Sequence, residues 1–304
     1  MQLILDNHFN DLDLLMQDTR AWDLDFRLTQ KGGFSGRIRQ VALPFLLITY
    51  AHFGSRMHQA GSTPPGFRTL VIPATGCRDF WWLGYDADRR SLIRFGADSE
   101  LAAVNDIDFA IYTISLRVDY LEALTESLGL PSIPADRGIV RIPAASITDL
   151  RALARTATFH WSERFRSTAA HQLAEGLVNS FTDGQNLPRP SPRSRDRAVK
   201  RVLEFLHENT DTLPDLPTLC ETAHASERTL QYAFRERYGI SPNAFVRSWQ
   251  LNTARRLLRA SVQDGGTIGD IAAQCGFYDP SLFSSHYRQL FGELPSATVS
   301  QSAR

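Results

Sequence analysis

The sequence predicts an α+β protein of two domains, a β-rich N-terminal domain and an all-helical C-terminal domain. Short apolar runs separated by turn residues extend to about residue 116, and amphipathic helical patterns follow them. A polar, proline-rich stretch at 183–194 then divides the chain. Because 304 residues exceed the usual size of one domain, we expect residues 1–182 and 195–304 to fold around separate cores, with 183–194 as the linker.

The N-terminal domain begins with a series of predicted strands. Runs of β-branched and aromatic residues recur about every ten residues, with glycine and proline between them, which is typical of a β-sandwich or barrel. The runs lie at 34–43, 45–53, 68–72, 79–83, 91–95 and 109–116. The apolar period then becomes helical, which predicts helices at 120–128 and over 146–181, the latter in one or two pieces.

The C-terminal domain shows helix boundaries directly in its sequence. Ser226, Ser241 and Thr267 stand where helix N-caps are expected, because their short polar side chains accept hydrogen bonds from free backbone N–H groups. Gly239 and Gly292 follow helical stretches and are expected to end them in a left-handed conformation.

An internal repeat connects these boundaries. Residues 234–242 and 287–295 share aromatic, arginine, aromatic, glycine and proline positions at a constant offset of 53. Each copy is preceded by a short helical segment and a turn. The pattern predicts two helix-turn-helix units, joined by a helix over about 243–260 that is about 27 Å long at 1.5 Å per residue.

The second helix of each unit has one apolar face and one polar face. In the predicted helix 227–238, Leu230, Phe234 and Tyr238 face the core. Arginine and glutamine pair with guanine and adenine edges in the major groove, so the opposite face predicts contact with double-stranded DNA. The candidate DNA-binding residues are Arg228, Gln231, Tyr232 and Arg235 in the first copy and Ser281, Ser284, Ser285 and Arg288 in the second.

These residues and their spacing resemble the DNA-binding domain of the AraC/XylS family of bacterial transcription regulators. The resemblance covers about 195–298 and is strongest at 226–242 and 271–277. It implies a cupin-like N-terminal barrel for effector binding and dimerisation, and an activator that works with RNA polymerase. Many family members carry arginine where this chain has Ser285, so we expect less base contact from the second helix. At 298–299, Thr and Val stand where the family often has an aromatic residue followed by Arg, so the resemblance does not predict a final helix there.

Other classes of function find little support in the sequence. Cys77, Cys220 and Cys275 are far apart and lack metal-site spacing, and His52 and His58 have no neighbouring glutamate. No nucleophile elbow or phosphate loop is present. We therefore expect no enzyme activity, catalytic residue, cofactor or metal. The N-terminus lacks a signal-peptide pattern and no run reaches membrane-span length, which predicts a cytoplasmic protein without a membrane partner.

A small-molecule effector is predicted from charge in the N-terminal domain. Residues 31–94 hold nine basic and three acidic residues in a chain whose net charge is zero. Arginine forks and aromatic faces suit an anion with a ring, such as a nucleotide. The candidate effector-binding residues are Arg37, Arg39, Arg78, Trp81, Trp82, Arg90 and Arg94.

The spacing of two of these arginines adds a specific resemblance. Arg90 and Arg94 are similar to the arginine pair with which PilZ-type modules hold cyclic di-GMP, although the accompanying [DN]-x-S-x-x-G motif is absent. Alternatively, these arginines are solvated strand ends and the tryptophans belong to the core.

Two further interpretations stay open. An effector-independent architectural DNA-binding protein would bind through phosphate contacts with a steep salt dependence. The net charge of +3 over 189–304 is small for such a protein. An anion sensor with degenerate repeats would bind no DNA through Arg228 and Gln231.

Overall fold

The structure, a computed structural model, describes residues 1–302 except 20, 97–99, 189–192, 212 and 261–265. The chain divides into two compact units. Unit 1 comprises Met1–Phe26, Ser35–Ser55 and Gln59–Pro190, and unit 2 comprises Arg27–Phe34, Arg56–His58 and Ser191–Arg304. Two short segments from the N-terminal part of the chain therefore belong to the unit that contains the C-terminal helices.

In its described residues, unit 1 has an antiparallel eight-stranded sheet, a five-stranded sheet and four helices. Its strands are β1 (Gln2–Phe9), β2 (Asp23–Leu28), β3 (Gly36–Leu43), β4 (Leu46–Phe53), β5 (Met57–Ser62), β6 (Phe67–Pro73), β7 (Phe80–Trp82), β8 (Tyr85–Ala87), β9 (Ser91–Arg94), β10 (Glu100–Asn105), β11 (Phe109–Arg117), β12 (Gly138–Arg141) and β13 (Gln185–Asn186). Its helices are α1 (Leu12–Asp18), α2 (Val118–Ser127), α3 (Ala144–Phe159) and α4 (Glu163–Asp183). The ends of β2 and β5 extend into the segments assigned to unit 2.

The strands form two sheets rather than the closed barrel predicted from the sequence. One sheet has eight strands in the order β1-β3-β4-β11-β6-β9-β12-β13, and the other has five in the order β2-β5-β10-β7-β8. Each sheet keeps its own edge strands, because no backbone ladder between the described strands joins one sheet to the other. The barrel prediction was therefore wrong in its closure, while the α+β class is confirmed.

Helices α3 and α4 cover one face of the eight-stranded sheet. Ile147 and Leu150 of α3 and Leu173 and Leu177 of α4 are almost fully buried in a core that includes Ile114 of β11. The apolar stripe predicted over 146–181 therefore packs within unit 1. It is interrupted at 160–162, where Trp161 is 87% exposed.

Within the described residues of unit 2 the structure has seven helices. The helices are α5 (Ser194–Glu208), α6 (Leu216–Ala223), α7 (Glu227–Tyr238), α8 (Pro242–Ala260), α9 (Ile268–Gln274), α10 (Pro280–Phe291) and α11 (Pro295–Ser302). Ser226 caps α7 and Thr267 caps α9, the latter in a capping box with Asp270. The final helix α11 forms although the sequence departs from the family pattern there.

The predicted linker differs in part from the structure. Asp183 is the last residue of α4, and Ser194 is the first residue of α5. Strand β13 pairs with β12 inside the predicted linker, because Gln185 and Asn186 align with Arg141 and Val140. Residues 189–192 of the prediction lie outside the described residues.

Two buried threonines in adjacent strands of unit 1 give a matched stability test. The Thr69 hydroxyl lies 2.8 Å from the Ser115 hydroxyl, whereas the Thr113 hydroxyl has no hydrogen-bond partner among the described residues. Thr69→Val should lower the free energy of unfolding by about 1–2 kcal/mol, because it leaves Ser115 unpaired. Thr113→Val should leave the free energy of unfolding within about 0.5 kcal/mol of the parent protein or raise it. Urea unfolding of both variants measures the difference, and equal losses would contradict it.

Candidate nucleic-acid interface

Helix α7 is fixed at both ends by local hydrogen bonds. The Ser226 hydroxyl accepts a hydrogen bond from the Thr229 backbone N–H at 3.3 Å. Gly239 ends the helix at φ +71°, where its N–H donates to the Arg235 carbonyl at 3.0 Å. Leu230 and Phe234 are fully buried. The helix therefore presents a fixed opposite face.

The four predicted residues of α7 lie together on that face. They line an open surface groove of about 460 Å³ with one residue that the sequence analysis missed, Glu227. Arg228 lies over the Tyr232 ring, with its guanidinium carbon 5.7 Å from the ring centroid. The Gln231 side-chain oxygen accepts no hydrogen bond from the described residues. The groove thus offers arginine donors, an amide and a carboxylate, the groups that pair with base edges.

Helix α10 presents a less charged face. Its N-cap is Asp279, whose carboxylate accepts from the N–H groups of Ser281 and Leu282 at 2.9 and 3.0 Å. Ser281, Ser285 and Arg288 are exposed and Ser284 is partly buried, as a polar outer face requires. The sequence analysis missed Tyr278 and Leu282, which are 85% and 51% exposed beside the predicted serines.

Helix α8 carries the first helix-turn-helix unit on its N-terminal half. The Phe245 ring centroid lies 5.1 Å from that of Phe234, 4.2 Å from that of Tyr238 and 5.8 Å from that of Trp249. The Trp249 indole N–H donates to the Leu206 carbonyl of α5 at 3.3 Å. Burial raises the pKa of Tyr238 to about 12, so this phenol stays neutral. The aromatic cluster fixes α7 on α8.

The C-terminal half of α8 holds the second unit through an ion pair of buried Arg255 with partly buried Glu293. Arg255 donates to Glu293 at 2.6 Å, to Thr298 at 3.2 Å and to the Tyr287 hydroxyl at 3.4 Å. Its guanidinium carbon also lies 4.8 Å from the Phe291 ring centroid. Burial alone would raise the pKa of Glu293, but hydrogen bonds from Thr298 and Arg255 outweigh burial and lower it.

The segment Arg27–Phe34 also contacts α8. The Asn252 side-chain amide donates to the Leu28 carbonyl at 2.9 Å, and its oxygen accepts from the Leu28 N–H at 3.0 Å. The Arg27 guanidinium carbon lies 3.7 Å from the Trp249 ring centroid. Asn252 thereby satisfies a buried backbone donor and acceptor in the manner of a neighbouring strand.

The segments Arg27–Phe34 and Arg56–His58 donate hydrogen bonds to carbonyls at the C-terminal ends of α10 and α7. The N–H groups of Gly32 and Gly33 donate to the carbonyls of Gln289 and Leu290, both at 2.9 Å. Arg56 donates to the carbonyl of the last residue of α7 at 3.0 Å. Helix C-terminal carbonyls lack partners within the helix and carry a partial negative charge, so a cation and free N–H groups stabilise them.

The residues predicted to bind an effector differ in burial and in their partners. Arg37 and Arg39 both pair with Asp6, and Arg94 pairs with Asp136 at 2.8 Å. Arg78 and Arg90 are exposed and Trp81 is partly buried. Of the seven, only Trp82 lines the apolar cavity inside unit 1.

Two cysteines that could suggest redox or metal chemistry, Cys77 and Cys275, are buried. Burial raises the pKa of Cys77 and of Cys275 to about 11, which keeps both thiols protonated. Within the part of the chain that the structure describes, no group of three His, Cys, Asp or Glu side chains is placed to hold a metal. No described helix has the length and apolar character needed to cross a membrane.

Comparison with known proteins gives the family. The helix-turn-helix domain family matches residues 219–301. A "XylDLEGF operon transcriptional activator 2" of Pseudomonas putida is 30% identical over 139 residues, which are 46% of this chain and 85% of that protein. The chain belongs to the AraC/XylS family of transcription regulators. The "HTH-type transcriptional activator RhaR" of Pectobacterium atrosepticum is 45% identical to this AraC/XylS member over 130 residues, 41% of this chain and 45% of that protein.

The extent of these matches differs between relatives. The chain covers less than half the length of the first curated relatives that it matches, about 41–45%. Among solved structures, the "AraC-like transcriptional activator CuxR" is 14% identical, with a TM-score of 0.44, and covers 89% of this chain and 100% of that one.

The ion pair between Arg255 and Glu293 gives a stability test of how the second helix-turn-helix unit is held on α8. Glu293→Gln should lower the free energy of unfolding at pH 7 by about 2 kcal/mol, because it removes the negative charge that lies 2.6 Å from the buried Arg255 guanidinium. Glu204→Gln, in the exposed pair with Lys200, should change it by less than about 0.5 kcal/mol.

The same pair predicts a pH dependence with a definite sign. Because folding lowers the pKa of Glu293, its stabilisation is present above the unfolded-state pKa and is lost as the pH falls through the folded-state pKa. The difference between the parent protein and Glu293→Gln should therefore shrink in acid. Urea unfolding at pH 7 and pH 4 measures it, and a difference that grows in acid would contradict the ion pair.

Proposed function

We propose that this protein is a sequence-specific DNA-binding transcription activator. The observation that carries the proposal is the groove of α7 lined by exposed Arg228, Tyr232 and Arg235 and by the partly buried Gln231. Helices α7 and α10 both pack on α8. Family membership and relatives described as transcriptional activators support it.

The two helices would contribute differently to DNA recognition. Arg228 and Arg235 suit guanine, Gln231 suits adenine, and Glu227 suits the cytosine amino group. The outer face of α10 offers three serines and Arg288, which suit phosphate contacts. We therefore expect sequence preference to come mainly from the half-site that α7 contacts.

Control by a small-molecule effector bound in unit 1 is part of the proposal. An anionic effector such as cyclic di-GMP stays a prediction, and exposed Arg78 and Arg90 are its available cations. Titration of the full chain with cyclic di-GMP, beside an Arg90→Ala variant, tests it. Binding that the variant weakens would support the prediction, and absence of binding would contradict it.

Homodimerisation and contact with RNA polymerase are also proposed from the family. Because the apolar stripe of α3 and α4 is buried, a dimer would need another surface. Exposed aromatic side chains are available at Trp161, between the two helices, and at Phe165, in α4. Sedimentation of the purified chain tests dimer formation. A DNA partner also implies the cytoplasmic location that we expect from the sequence.

The alternative is an effector-independent architectural protein. Its affinity would come from phosphate contacts and would show weak sequence preference. The small net charge of the C-terminal half disfavours it.

Selection of genomic DNA fragments by the purified full chain at near-physiological salt tests the function. We expect a few strongly enriched sites. Arg228→Ala and Gln231→Ala should each weaken binding to these sites by about tenfold or more, since one good base contact contributes about 1–3 kcal/mol. Lys200→Ala, which removes one exposed positive charge on α5, is the matched control for Arg228→Ala and should change binding less than threefold.

Two other outcomes would overturn the proposal. Uniform, salt-sensitive retention of all fragments would favour the architectural alternative. Enrichment that survives both α7 substitutions would show that α7 does not contact bases.

A further inference from the structure

Two segments from the N-terminal part of the chain belong to unit 2 and lie side by side there. They are Arg27–Phe34 and Arg56–His58, and together we call them the clamp. The Thr29 N–H donates to the Arg56 carbonyl at 3.2 Å, and the Arg56 N–H donates to the Gln30 side-chain oxygen at 3.4 Å. These hydrogen bonds join the two segments into one structural element.

The clamp is attached to the middle of α8. The Leu28 N–H and carbonyl both bond to the Asn252 side chain, and the Arg27 guanidinium donates to the Thr253 hydroxyl at 3.2 Å. The Arg27 guanidinium also lies over the Trp249 ring. Arg27, Leu28 and Asn252 are all buried. The clamp therefore packs on the helix that carries both helix-turn-helix units.

The clamp also contacts the C-terminal end of α7. Gly239 ends α7 and Gly292 ends α10, at the offset of 53 residues that relates the two copies of the repeat. Arg56 donates to the carbonyl of Tyr238, the residue before Gly239, at 3.0 Å. A Cβ on Gly239 would lie 1.8 Å from the same Arg56 nitrogen, so the absence of a side chain there makes room for the guanidinium.

The clamp reaches the equivalent position at the end of α10. Gly32 and Gly33 donate to the Gln289 and Leu290 carbonyls, both at 2.9 Å. Gly33 has a φ of +82°, and a Cβ on it would lie 3.0 Å from the Phe291 carbonyl oxygen. Since carbonyls at a helix C-terminus lack partners within the helix, these contacts stabilise both helix ends. One element thus joins the same position in both copies of the repeat.

This arrangement removes a freedom that packing on α8 alone would leave. Helix α8 has 19 residues and is about 28 Å long, and long helices bend. Bending of α8 would change the separation of α7 and α10, because the two helices pack on opposite halves of it. An element that is fixed to the middle of α8 and to both helix ends opposes that change.

We propose that the clamp holds α7 and α10 at a fixed separation and thereby sets the spacing of the two DNA half-sites that the protein accepts. Arg56 and Gly33 are positioning residues, because they act through the two helices and do not contact DNA. The inference rests on the proposed function, since spacing has a meaning only if both helices enter major grooves. The DNA-binding unit then extends beyond residues 195–304, to which the sequence analysis assigned it.

The first test measures the separation of α7 and α10 in the full chain without DNA. Spin labels at Arg235→Cys and Arg288→Cys, which are equivalent positions in the two copies, report their distance by pulsed electron paramagnetic resonance. Cys220→Ala removes the partly exposed native thiol, whereas Cys77 and Cys275 are buried. We expect a single narrow distance distribution in this labelled parent chain.

Two variants open the clamp at different ends, and each has a matched control. Arg56→Met keeps an unbranched side chain but loses the hydrogen bond to α7, and Gly33→Ala places a Cβ against the Phe291 carbonyl of α10. Arg117→Met removes a guanidinium that forms an ion pair within unit 1. Gly32→Ala also changes a glycine with positive φ, but its Cβ would meet open space. Both clamp variants should widen the distance distribution at least about twofold, and both controls should widen it much less.

The second test measures spacing selectivity on DNA. A site recovered by the genomic selection is compared with the same site carrying one extra base pair between its half-sites, which separates them by about 3.4 Å and rotates them by about 35°. The parent protein should bind the original site at least about tenfold more tightly. Arg56→Met and Gly33→Ala should reduce this ratio to about threefold or less. A smaller folded fraction would weaken binding to both sites by the same factor, so a merely structural role would leave the ratio unchanged.

The results that would contradict the proposal are specific. Narrow distance distributions in both clamp variants, equal widening in the controls, or an unchanged spacing ratio would each overturn it. Circular dichroism confirms that each variant folds, and Arg56→Met alone decides the tests if Gly33→Ala does not.

The distance measurement contains no DNA, so its outcome is independent of the DNA selection. Widening in the clamp variants without DNA selectivity of the parent protein would refute the proposed function and confirm the mechanical role of the clamp. DNA selectivity with unchanged distance distributions would refute the clamp proposal alone.

Discussion

The packing of two helix-turn-helix units on one helix is the constraint on which the C-terminal structure depends. Phe245 and Trp249 hold α7 on the N-terminal half of α8, and Arg255 holds α10 and α11 on its C-terminal half. Ten residues separate Phe245 from Arg255, about 15 Å along the helix axis. Because Phe245, Trp249 and Arg255 are buried, independent movement of α7 and α10 would disrupt buried packing.

The two attachments differ in their physical chemistry. The first is a cluster of aromatic rings, which depends little on pH because burial raises the pKa of Tyr238. The second is an ion pair with hydroxyl partners, which costs desolvation and is stable only while Glu293 is ionised. Acid is therefore expected to loosen the second unit before the first. The N–H groups of Gly32 and Gly33 additionally hold the C-terminal end of α10.

Local signals in the sequence were sufficient to predict the two helix-turn-helix units and the connecting helix α8 of unit 2, but not α11. Ser226, Thr267, Gly239 and Gly292 act through hydrogen bonds within a few residues, so their effect is visible without the fold. The outward faces of α7 and α10 followed from helical periodicity alone. Glu227 was missed because a carboxylate in the first turn is also explained by the helix dipole.

Features that depend on distant contacts were not predictable. Asn252 bonds to Leu28 across 224 positions, and nothing in either residue's neighbourhood indicates the other. The same limit applies to the ion pairs of the N-terminal arginines. The pairing of Arg37 with Asp6 and of Arg94 with Asp136 depends on the fold and was not predicted. The closure of a sheet likewise depends on which edge strands meet, and strand spacing does not encode it.

Methylation interference on a selected DNA site tests most directly whether α8 holds α7 and α10 in a fixed relative position. If α8 holds both helices against one DNA face, guanine methylation should block binding at two major-groove clusters about 10 base pairs apart. Arg228→Ala should abolish the cluster that α7 contacts and leave the other in place. A single cluster, or two clusters whose spacing varies between selected sites, would contradict the account.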